Sequence, residues 1–335
     1  MKGRQSNFEV LRIVAIVLIV AMHAVGCLLG TTNEWNRLGL TAVNAIGNMG
    51  VTTFMLISGY FGIHFRWSKL LTLWLIALFY SFIATAADWL LGAEASGALL
   101  YGALTPVTSR RWWFLTYYLI IFCLSPVLSR MMDLLSRRQL EWLLGVLICC
   151  FILSPTLLQH PLTGDAEGKG LANLLTAYLA GQYVGRYGFP DWLRRHCGKV
   201  LVGCFVLAFA GSFAAGCIRP AATIVLCKDN NVLMALGALS ALCLTAQHPT
   251  SNAAANWLGG FAFPLYLSNW AVLRLLQPHY AGHTDEICIW GYLAAALLAT
   301  LVAAWALESL RRLLLDRWTD RLGRWADGHL PSCST

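Results

Sequence analysis

Long apolar runs recur from one end of this chain to the other, and they constrain its fold more than any other feature. About 20 consecutive apolar residues cross a bilayer, and such runs alternate with short polar segments along all 335 residues. Apolar residues make up 58% and charged residues 12% of the sequence, against about 45–50% and about 25% in soluble domains. A transmembrane β-barrel is excluded, because its strands alternate apolar and polar residues over about 10 positions. The sequence therefore predicts an all-α, polytopic membrane protein.

Ten segments are long and apolar enough to be predicted as membrane spans. They are residues 9–30, 39–62, 69–91, 112–129, 140–158, 171–187, 199–217, 231–247, 257–277 and 287–309. The sixth carries Asn173 and Gln182 and the eighth is short, so eight or nine spans is the alternative. The segments between spans are too short for an added soluble domain. We therefore expect one membrane domain over residues 1–309 and a tail over residues 310–335.

The distribution of Lys and Arg predicts the orientation of these spans. Sixteen of these residues fall on the side of the N-terminus and six on the other side, and the cytoplasmic side of a membrane protein carries the excess. An even number of spans returns the chain to its starting side, so both termini are predicted to be cytoplasmic. The same placement accounts for the net charge of +8 without nucleic acid as a partner. The eleven Cys include no C-x-x-C pair, and no metal site is predicted.

The tail has an amphipathic pattern. Its apolar residues recur every three or four positions, at Leu310, Leu314, Trp318, Leu322 and Trp325. Arginine and aspartate residues lie between them, which is typical of a helix on a membrane surface. We expect this helix to be an anchor on the cytoplasmic face, in contact with membrane lipids.

The first predicted span contains three ionisable residues, which are costly within a bilayer and therefore candidates for function. Glu9 lies one turn before Arg12, close enough for an ion pair. Arg12 and His23 are eleven residues apart, which places them on one helix face about 16 Å apart along the axis. His23 is either a functional imidazole or a packing residue bonded to a neighbouring helix. For Arg12 the alternative is a lipid-headgroup anchor.

Small and polar residues also mark the second span and the segment after it. Asn48, Ser58 and Gly59 are candidates for lining a site, and close helix packing is the alternative for the last two. Arg66 and Lys69 follow at the inner surface. There they suit either the phosphates of a cytosolic donor or lipid headgroups.

The fourth and ninth predicted spans contribute the remaining candidates. Trp113 lies at the start of the fourth, where an interfacial aromatic belt is the alternative to a site. The ninth contains Pro264, Tyr266 and Asn269. A proline within a span frees a backbone carbonyl, which neighbouring groups or water must satisfy. We therefore expect the ninth span to be broken at the proline and to line a cavity.

Four stretches of the sequence resemble the membrane-bound acyltransferase-3 family, and in particular its bacterial polysaccharide O-acyltransferase branch. They are NFEVLRIVAIVLIVAMH at residues 7–23, FMLISGYF at 54–61, WWFLTYYLIIFCLSPVLS at 112–129 and FAFPLYLSN at 261–269. The family's signature in the first span is an Arg, ten residues and a His, which Arg12 and His23 match. The family's ninth-span motif commonly ends Tyr-Leu-Ile-His, whereas Ser268 and Asn269 occupy the last two positions here.

The resemblance implies an enzyme of ten spans in the bacterial cytoplasmic membrane. Its reaction is the transfer of an acyl group, usually acetyl from acetyl-coenzyme A, to a sugar hydroxyl of a lipid-linked or cell-surface glycan. The resemblance makes His23 the catalytic residue and Arg12 its companion. Arg66 and Lys69 correspond to the basic residues that meet the coenzyme. The coenzyme is a donor substrate, and no metal is implied.

Two other classes of function stay open on the residues alone. A transporter or exporter of a lipid-linked glycan is compatible with many spans and intramembrane Asn residues, although the two halves show no internal repeat. A sensor or an assembly subunit without turnover is the other alternative.

Overall fold

The structure, a computed structural model, describes residues 5–159, 167–219 and 224–331. Over these residues the regular structure is entirely helical, which confirms the predicted all-α class. The α-helices are α1 (Ser6–Val25), α2 (Glu34–Gly47), α3 (Met49–Phe61), α4 (Trp67–Leu90), α5 (Gly97–Leu104), α6 (Trp113–Leu134), α7 (Arg137–Ile148), α8 (Ser154–Leu158), α9 (Leu171–Tyr187), α10 (Asp191–Ile218), α11 (Val232–Gln247), α12 (Ala253–Gly259), α13 (Ala262–Tyr280) and α14 (Ile289–His329). A π-helical turn, Cys149–Leu153, joins α7 to α8.

Each of the ten predicted spans coincides with helical structure. Within the described ranges, seven helical segments are long and apolar enough to cross a membrane: Ser6–Leu28, Glu34–Phe61, Trp67–Leu90, Trp113–Leu134, Arg137–Leu158, Asp191–Ile218 and Ile289–His329. Helices α9 and α11 are shorter, at 17 and 16 residues. Helix α13 has 19 residues but does not reach the same hydropathy. The described residues therefore contain seven candidate membrane-spanning helices, and the count of ten spans remains a prediction.

Helices α3 and α9 pack closely because glycines occupy their interface. A Cβ atom on Gly59 would overlap the carbonyl group of Tyr178, and one on Gly181 would overlap the carbonyl oxygen of Leu56. Small residues of this kind let helix backbones approach each other within a membrane. The structure therefore places Gly59 in a helix interface, in agreement with the packing alternative.

Hydrogen bonds at two faces of the bundle bring α1 alongside α13. At the N-terminal face of the bundle, which is the face at which α1 begins, the backbone N–H of Asn252 donates to the hydroxyl oxygen of Ser6 over 2.7 Å. At the opposite face, the Tyr280 hydroxyl donates to the carbonyl oxygen of Ala24 over 3.4 Å. Helix α1 and the segment formed by α12 and α13 therefore run in the same direction, and α1 and α13 are parallel and in contact.

Asp285 joins two loops at the opposite face. Its carboxylate accepts hydrogen bonds from the hydroxyl of Thr31 over 2.6 Å and from the backbone N–H of Thr32 over 2.7 Å. These hydrogen bonds, the Thr31 hydroxyl above all, lower the pKa of Asp285 from its ordinary value, because they stabilise the charged form. The loop after α1 is thereby tied to the loop before α14.

The tail continues the last span as one helix. At 1.5 Å per residue, the 41 residues of α14 extend about 60 Å, roughly twice the thickness of a bilayer core. All five residues of the predicted apolar stripe are exposed. The other side of the helix packs against the start of α4, where Asp327 accepts a hydrogen bond from the backbone N–H of Ser68 over 2.9 Å. Membrane anchoring by the exposed stripe remains a prediction.

Pro264 does not break a helix, and on this point the expectation from sequence is wrong. It lies in the first turn of α13, where backbone N–H groups have no intrahelical acceptor and a proline removes nothing. The interruption comes earlier, because α12 ends at Gly259 and α13 begins at Ala262. Helix α13 nevertheless lines a cavity, as expected.

Candidate functional site

The side chain of His23 lies against α13, where Asn269 fixes its chemical form. The Nδ1 atom of His23 is 2.8 Å from the Oδ1 atom of Asn269. The amide nitrogen of Asn269 donates to the carbonyl oxygens of Leu265 and Tyr266, over 3.2 and 2.6 Å. Because these two bonds determine the orientation of the amide, the oxygen that faces His23 accepts a hydrogen bond. A neutral His23 therefore carries its proton on Nδ1 and has an unprotonated Nε2.

An imidazole in this form can act on a substrate through Nε2. An unprotonated ring nitrogen accepts a proton from a hydroxyl group or attacks an acyl carbon itself. In several hydrolases an Asn or Asp holds the other nitrogen of the catalytic His in the same way. The ring of Trp270 meets the His23 ring edge to face, with 5.7 Å between the centroids, and further restricts its orientation.

A partly buried ion pair lies about three turns from His23 along α1. The Nη1 atom of Arg12 is 2.6 Å from the Oε1 atom of Glu9, as the spacing predicts. The side chain of Glu9 is 5% exposed and that of Arg12 is 29% exposed. Gly259 makes room for the carboxylate, since a Cβ atom at that position would overlap the Oε2 atom of Glu9. The guanidinium keeps N–H donors beyond the one that Glu9 accepts.

The ion pair borders a cavity of about 270 Å³, the inner cavity. Ser58 and Tyr266, both candidates from sequence, line it together with aromatic rings of α6, including Phe114. Its wall is therefore mostly apolar, with one charged pair on α1. This is the usual composition of a small-molecule site, in which a few polar groups orient a ligand within an apolar enclosure.

A second cavity of about 540 Å³, the mouth, adjoins the inner cavity. Arg12 and Ser58 line both. Lys69 and His64 bring basic side chains to the mouth from the N-terminal face, and Asp320 reaches it from the extension of α14. The two cavities together form a passage from the N-terminal face to the Arg12–Glu9 pair and beyond it.

His23 lies just past the end of the inner cavity. On α1 the cavity extends to Ile19, one helical turn before His23, and on α13 it extends to Tyr266, one turn before Asn269 and Trp270. One turn is about 5.4 Å. The His23–Asn269 pair therefore forms a layer that separates the inner cavity from the opposite face.

A smaller pocket of about 180 Å³, the outer pocket, lies on the other side of this layer. Trp270 borders it and contacts His23, so the outer pocket is one side chain away from the imidazole. Asp88, Arg111 and Arg274 bring three charged groups to it.

Comparison with known protein families identifies the chain. The sequence model of an acyltransferase domain, that of the acyltransferase-3 family, matches residues 5–308. The chain belongs to the acyltransferase-3 family. No curated protein and no solved structure gives a match. Family membership and the apolar helices together indicate a multi-pass membrane acyltransferase, which uses an acyl donor.

Besides Gly59 in its helix interface and the His23–Asn269 pair between the cavities, three residues singled out from the sequence line none of the three cavities of this acyltransferase. Arg66 is 62% exposed and pairs with Asp327 over 3.4 Å. Asn48 lies between α2 and α3 and donates to the carbonyl oxygen of Asn44 over 2.8 Å. Trp113 packs its ring against Phe114, behind the wall of the inner cavity. Of the two predicted donor-binding residues, only Lys69 lines the mouth.

Sequence reasoning missed two residues that line the cavities of the candidate site. Tyr118 lines both the inner cavity and the mouth, with its ring stacked at 5.9 Å on that of Phe114. The four-residue spacing of these two aromatic residues in the quoted stretch WWFLTYYL indicates a shared helix face. His64 lies just after α3, and no periodicity could place it beside Lys69.

Proposed function

We propose that this protein is an integral-membrane O-acyltransferase of the bacterial cytoplasmic membrane. In this proposal it moves an acyl group, most simply acetyl, from cytosolic acyl-coenzyme A to a sugar hydroxyl of a cell-surface or lipid-linked polysaccharide. The observation that carries the proposal is the hydrogen bond between His23 and Asn269, which orients the imidazole between the passage on one side and the charged outer pocket on the other.

The reaction requires a base, because a sugar hydroxyl is a weak nucleophile. In the proposed step, Nε2 of His23 takes the hydroxyl proton while the sugar oxygen forms a bond to the acyl carbon. The carbon–sulfur bond of the thioester breaks, and the coenzyme thiolate receives the proton from His23. General-base assistance of this kind contributes typically 10²–10⁴-fold to a rate.

An acyl-histidine relay is the alternative order of events at the same atom. There Nε2 of His23 attacks the thioester first, and the sugar hydroxyl then takes the acyl group from the imidazole. Both orders need the tautomer that Asn269 favours. Intact-mass measurement after incubation with acetyl-coenzyme A, without an acceptor, separates them, since only the relay leaves an acetylated protein that His23→Ala abolishes.

The donor would enter from the N-terminal face, which carries most of the Lys and Arg residues and is proposed to be cytoplasmic. Lys69 and His64 at the mouth suit the phosphates of the coenzyme, and Arg12 suits a polar group deeper in the passage. The pantetheine arm would follow α1 along the inner cavity. The distance of about 16 Å from Arg12 to His23 is within the reach of such an arm.

Mass spectrometry of surface glycan from bacterial cells, with and without this chain, tests the reaction. We expect a mass increase of one acetyl group per modified sugar when the chain is present, and its loss with His23→Ala. The matched control is His279→Ala, because His279 is an exposed histidine at the opposite face. Full acetylation by His23→Ala, at equal expression, contradicts a catalytic role for His23.

A second measurement tests the donor. Purified protein in lipid nanodiscs is incubated with radiolabelled acetyl-coenzyme A, and binding is measured separately from turnover. We expect binding in both the unmodified protein and His23→Ala, and turnover only in the former. Glycan flux through vesicles without donor binding would instead favour the exporter.

A further inference from the structure

The outer pocket lies where the C-terminal end of α4 and the N-terminal end of α6 meet the middle of α13. It is on the side of His23 away from the inner cavity. Its volume is about 180 Å³. It is lined by small and aliphatic side chains, two tryptophans and three charged groups. Charged groups within a membrane protein are costly unless they have partners, so the contacts of these three groups indicate what the pocket can bind.

The three charged groups leave an excess of positive charge. The Oδ2 atom of Asp88 is 2.6 Å from the Nη2 atom of Arg111, and Nη1 of Arg111 donates to the hydroxyl oxygen of Thr85 over 2.9 Å. The other carboxylate oxygen of Asp88 pairs with Nη1 of Arg274. One carboxylate thus faces two guanidinium groups. The Arg111 side chain is 17% exposed and doubly bonded, whereas that of Arg274 is 42% exposed.

Arg274 therefore has donors to offer to a ligand. A guanidinium carries five N–H donors in a planar fork that matches a carboxylate or a phosphate. Asp88 occupies part of the fork and holds the Arg274 side chain at the rim of the pocket. The remaining donors and the excess charge favour an anionic ligand.

Trp270 connects this charge to His23. It lies one helical turn before Arg274, so the two side chains share a face of α13. The indole is 55% exposed although its ring contacts His23. An exposed indole face packs well against the C–H face of a sugar ring, because aromatic side chains combine large apolar area with little loss of conformational freedom.

We propose that the outer pocket is the acceptor site and that it selects an anionic glycan. Arg274 binds a carboxylate or phosphate of the acceptor, and Trp270 packs against the neighbouring sugar ring, which brings a hydroxyl of that ring to His23. This inference rests on the proposed function and adds a chemical class of acceptor to it. The anionic group comes either from a uronic acid in the glycan or from the pyrophosphate of a lipid carrier.

Three probes distinguish these sources. The first is an oligosaccharide that contains glucuronic acid, the second is a neutral glucose oligosaccharide of equal length, and the third is the neutral oligosaccharide on a polyprenyl pyrophosphate. Transfer from radiolabelled acetyl-coenzyme A is measured with the full chain in nanodiscs of neutral lipid. The variants are Arg274→Gln and, as a matched control, Arg110→Gln, which removes a charge from the same face outside the pocket.

We expect the KM of an anionic probe to be at least about tenfold lower than that of the neutral oligosaccharide, and Arg274→Gln to remove this difference. The KM of the neutral probe should change less than twofold in Arg274→Gln, and the KM of every probe should change less than twofold in Arg110→Gln. The probe that loses its preference, glucuronic acid or pyrophosphate, identifies the source of the anion. Equal KM values for anionic and neutral probes in the unmodified protein overturn the inference.

Two measurements keep the test decisive if a variant fails. Should Arg274→Gln not fold, the salt dependence of binding replaces it, because affinity for an anionic probe must fall with ionic strength while affinity for the neutral probe stays constant. Binding of the probes to His23→Ala, followed by calorimetry, separates the two proposals. Selective binding without transfer by the unmodified protein refutes only the acyltransferase function, and transfer without selectivity refutes only the acceptor site.

Discussion

The inner cavity and the outer pocket lie on two sides of one side-chain layer, yet they differ in almost every physical respect. The inner cavity is larger, mostly apolar, and contains a neutral ion pair. The outer pocket is smaller and contains one carboxylate against two guanidinium groups. A thioester with a long flexible arm suits the first environment, and a polar, anionic sugar suits the second.

Helix α13 produces this difference within two turns. Tyr266 lines the inner cavity, Asn269 bonds His23, and Trp270 and Arg274 border the outer pocket. A helix that passes between two compartments presents different residues to each as it advances about 1.5 Å per residue. The His23–Asn269 layer is set by contact between α1 and α13. If the proposed reaction takes place at this layer, changes on its two sides should affect different substrates.

Replacing Asn269 by Leu acts on the layer itself and should have the largest effect. The imidazole would lose the acceptor for its Nδ1 proton, and the buried donor would be left unsatisfied at a cost of about 1–3 kcal/mol. We expect kcat for acyl transfer to fall at least about tenfold, with an unchanged KM for acetyl-coenzyme A. Ser268→Ala is the matched control, because the Ser268 hydroxyl donates within α13, to the carbonyl oxygen of Pro264 over 2.9 Å. Normal kcat in Asn269→Leu would show that this hydrogen bond does not position His23.

Replacing Gly259 by Ala disturbs only the inner cavity. The added Cβ atom would overlap the carboxylate of Glu9 and force it away from Arg12. Overpacking of this kind costs typically about 1–3 kcal/mol, so we expect a lower thermal midpoint and a higher KM for the donor. Gly203→Ala, which meets open space on α10, should leave both measurements unchanged. An unaltered donor KM in a folded Gly259→Ala protein would separate the ion pair from donor binding.

Lys69→Gln and Arg66→Gln form a matched pair at the N-terminal face. Both remove one positive charge, but Lys69 lines the mouth whereas Arg66 faces Asp327 on α14. We expect the KM for acetyl-coenzyme A to rise roughly fivefold in Lys69→Gln, because an exposed charge–phosphate contact is partly screened. The change in Arg66→Gln should stay below twofold. The reverse order in steady-state kinetics would restore Arg66 as the donor-binding residue predicted from sequence.

Asp285→Asn should have the smallest effect, and one that depends on pH. Since the folded protein lowers the pKa of Asp285, the ionised carboxylate stabilises the fold at neutral pH, and this contribution is lost as the pH falls through the lowered pKa. We therefore expect Asp285→Asn to lower the thermal midpoint slightly at pH 7. The difference from the unmodified protein should shrink below about pH 4. A difference that persists in acid would mean that the carboxylate charge is not what holds the two loops.

The sequence predicted the class of fold and the Glu9–Arg12 ion pair for identifiable reasons. A continuous apolar run in a bilayer forms a helix, because a helix satisfies every backbone hydrogen bond within the segment. All ten predicted segments are helical. The spacing of Glu9 and Arg12 predicted their ion pair, because partners three residues apart meet on one helix. Family resemblance selected His23, but it gave no reason for Asn269 at the position where a His is common.

The tertiary structure supplied that reason. His23 and Asn269 are 246 residues apart in the chain, and no periodicity of either helix states which residues will face each other. The same holds for the pair of Arg66 with Asp327, which is on α14. This pairing holds Arg66 away from the mouth, which Lys69 lines. The effect of a proline on a helix also depends on its position. Pro264 does not interrupt α13, because it lies in the first turn, where backbone N–H groups have no intrahelical acceptor.

By itself, the sequence determined a helical membrane protein with an ionisable stripe on its first helix, because hydrophobicity and helical spacing are local properties. Only the tertiary structure decided that α1 lies beside α13, that Asn269 sets the proton position on His23, and that this pair lies between two separate cavities. The physical reason is that a hydrogen bond acts over about 3 Å, and the helix packing that brings distant residues within that range is a property of the whole bundle.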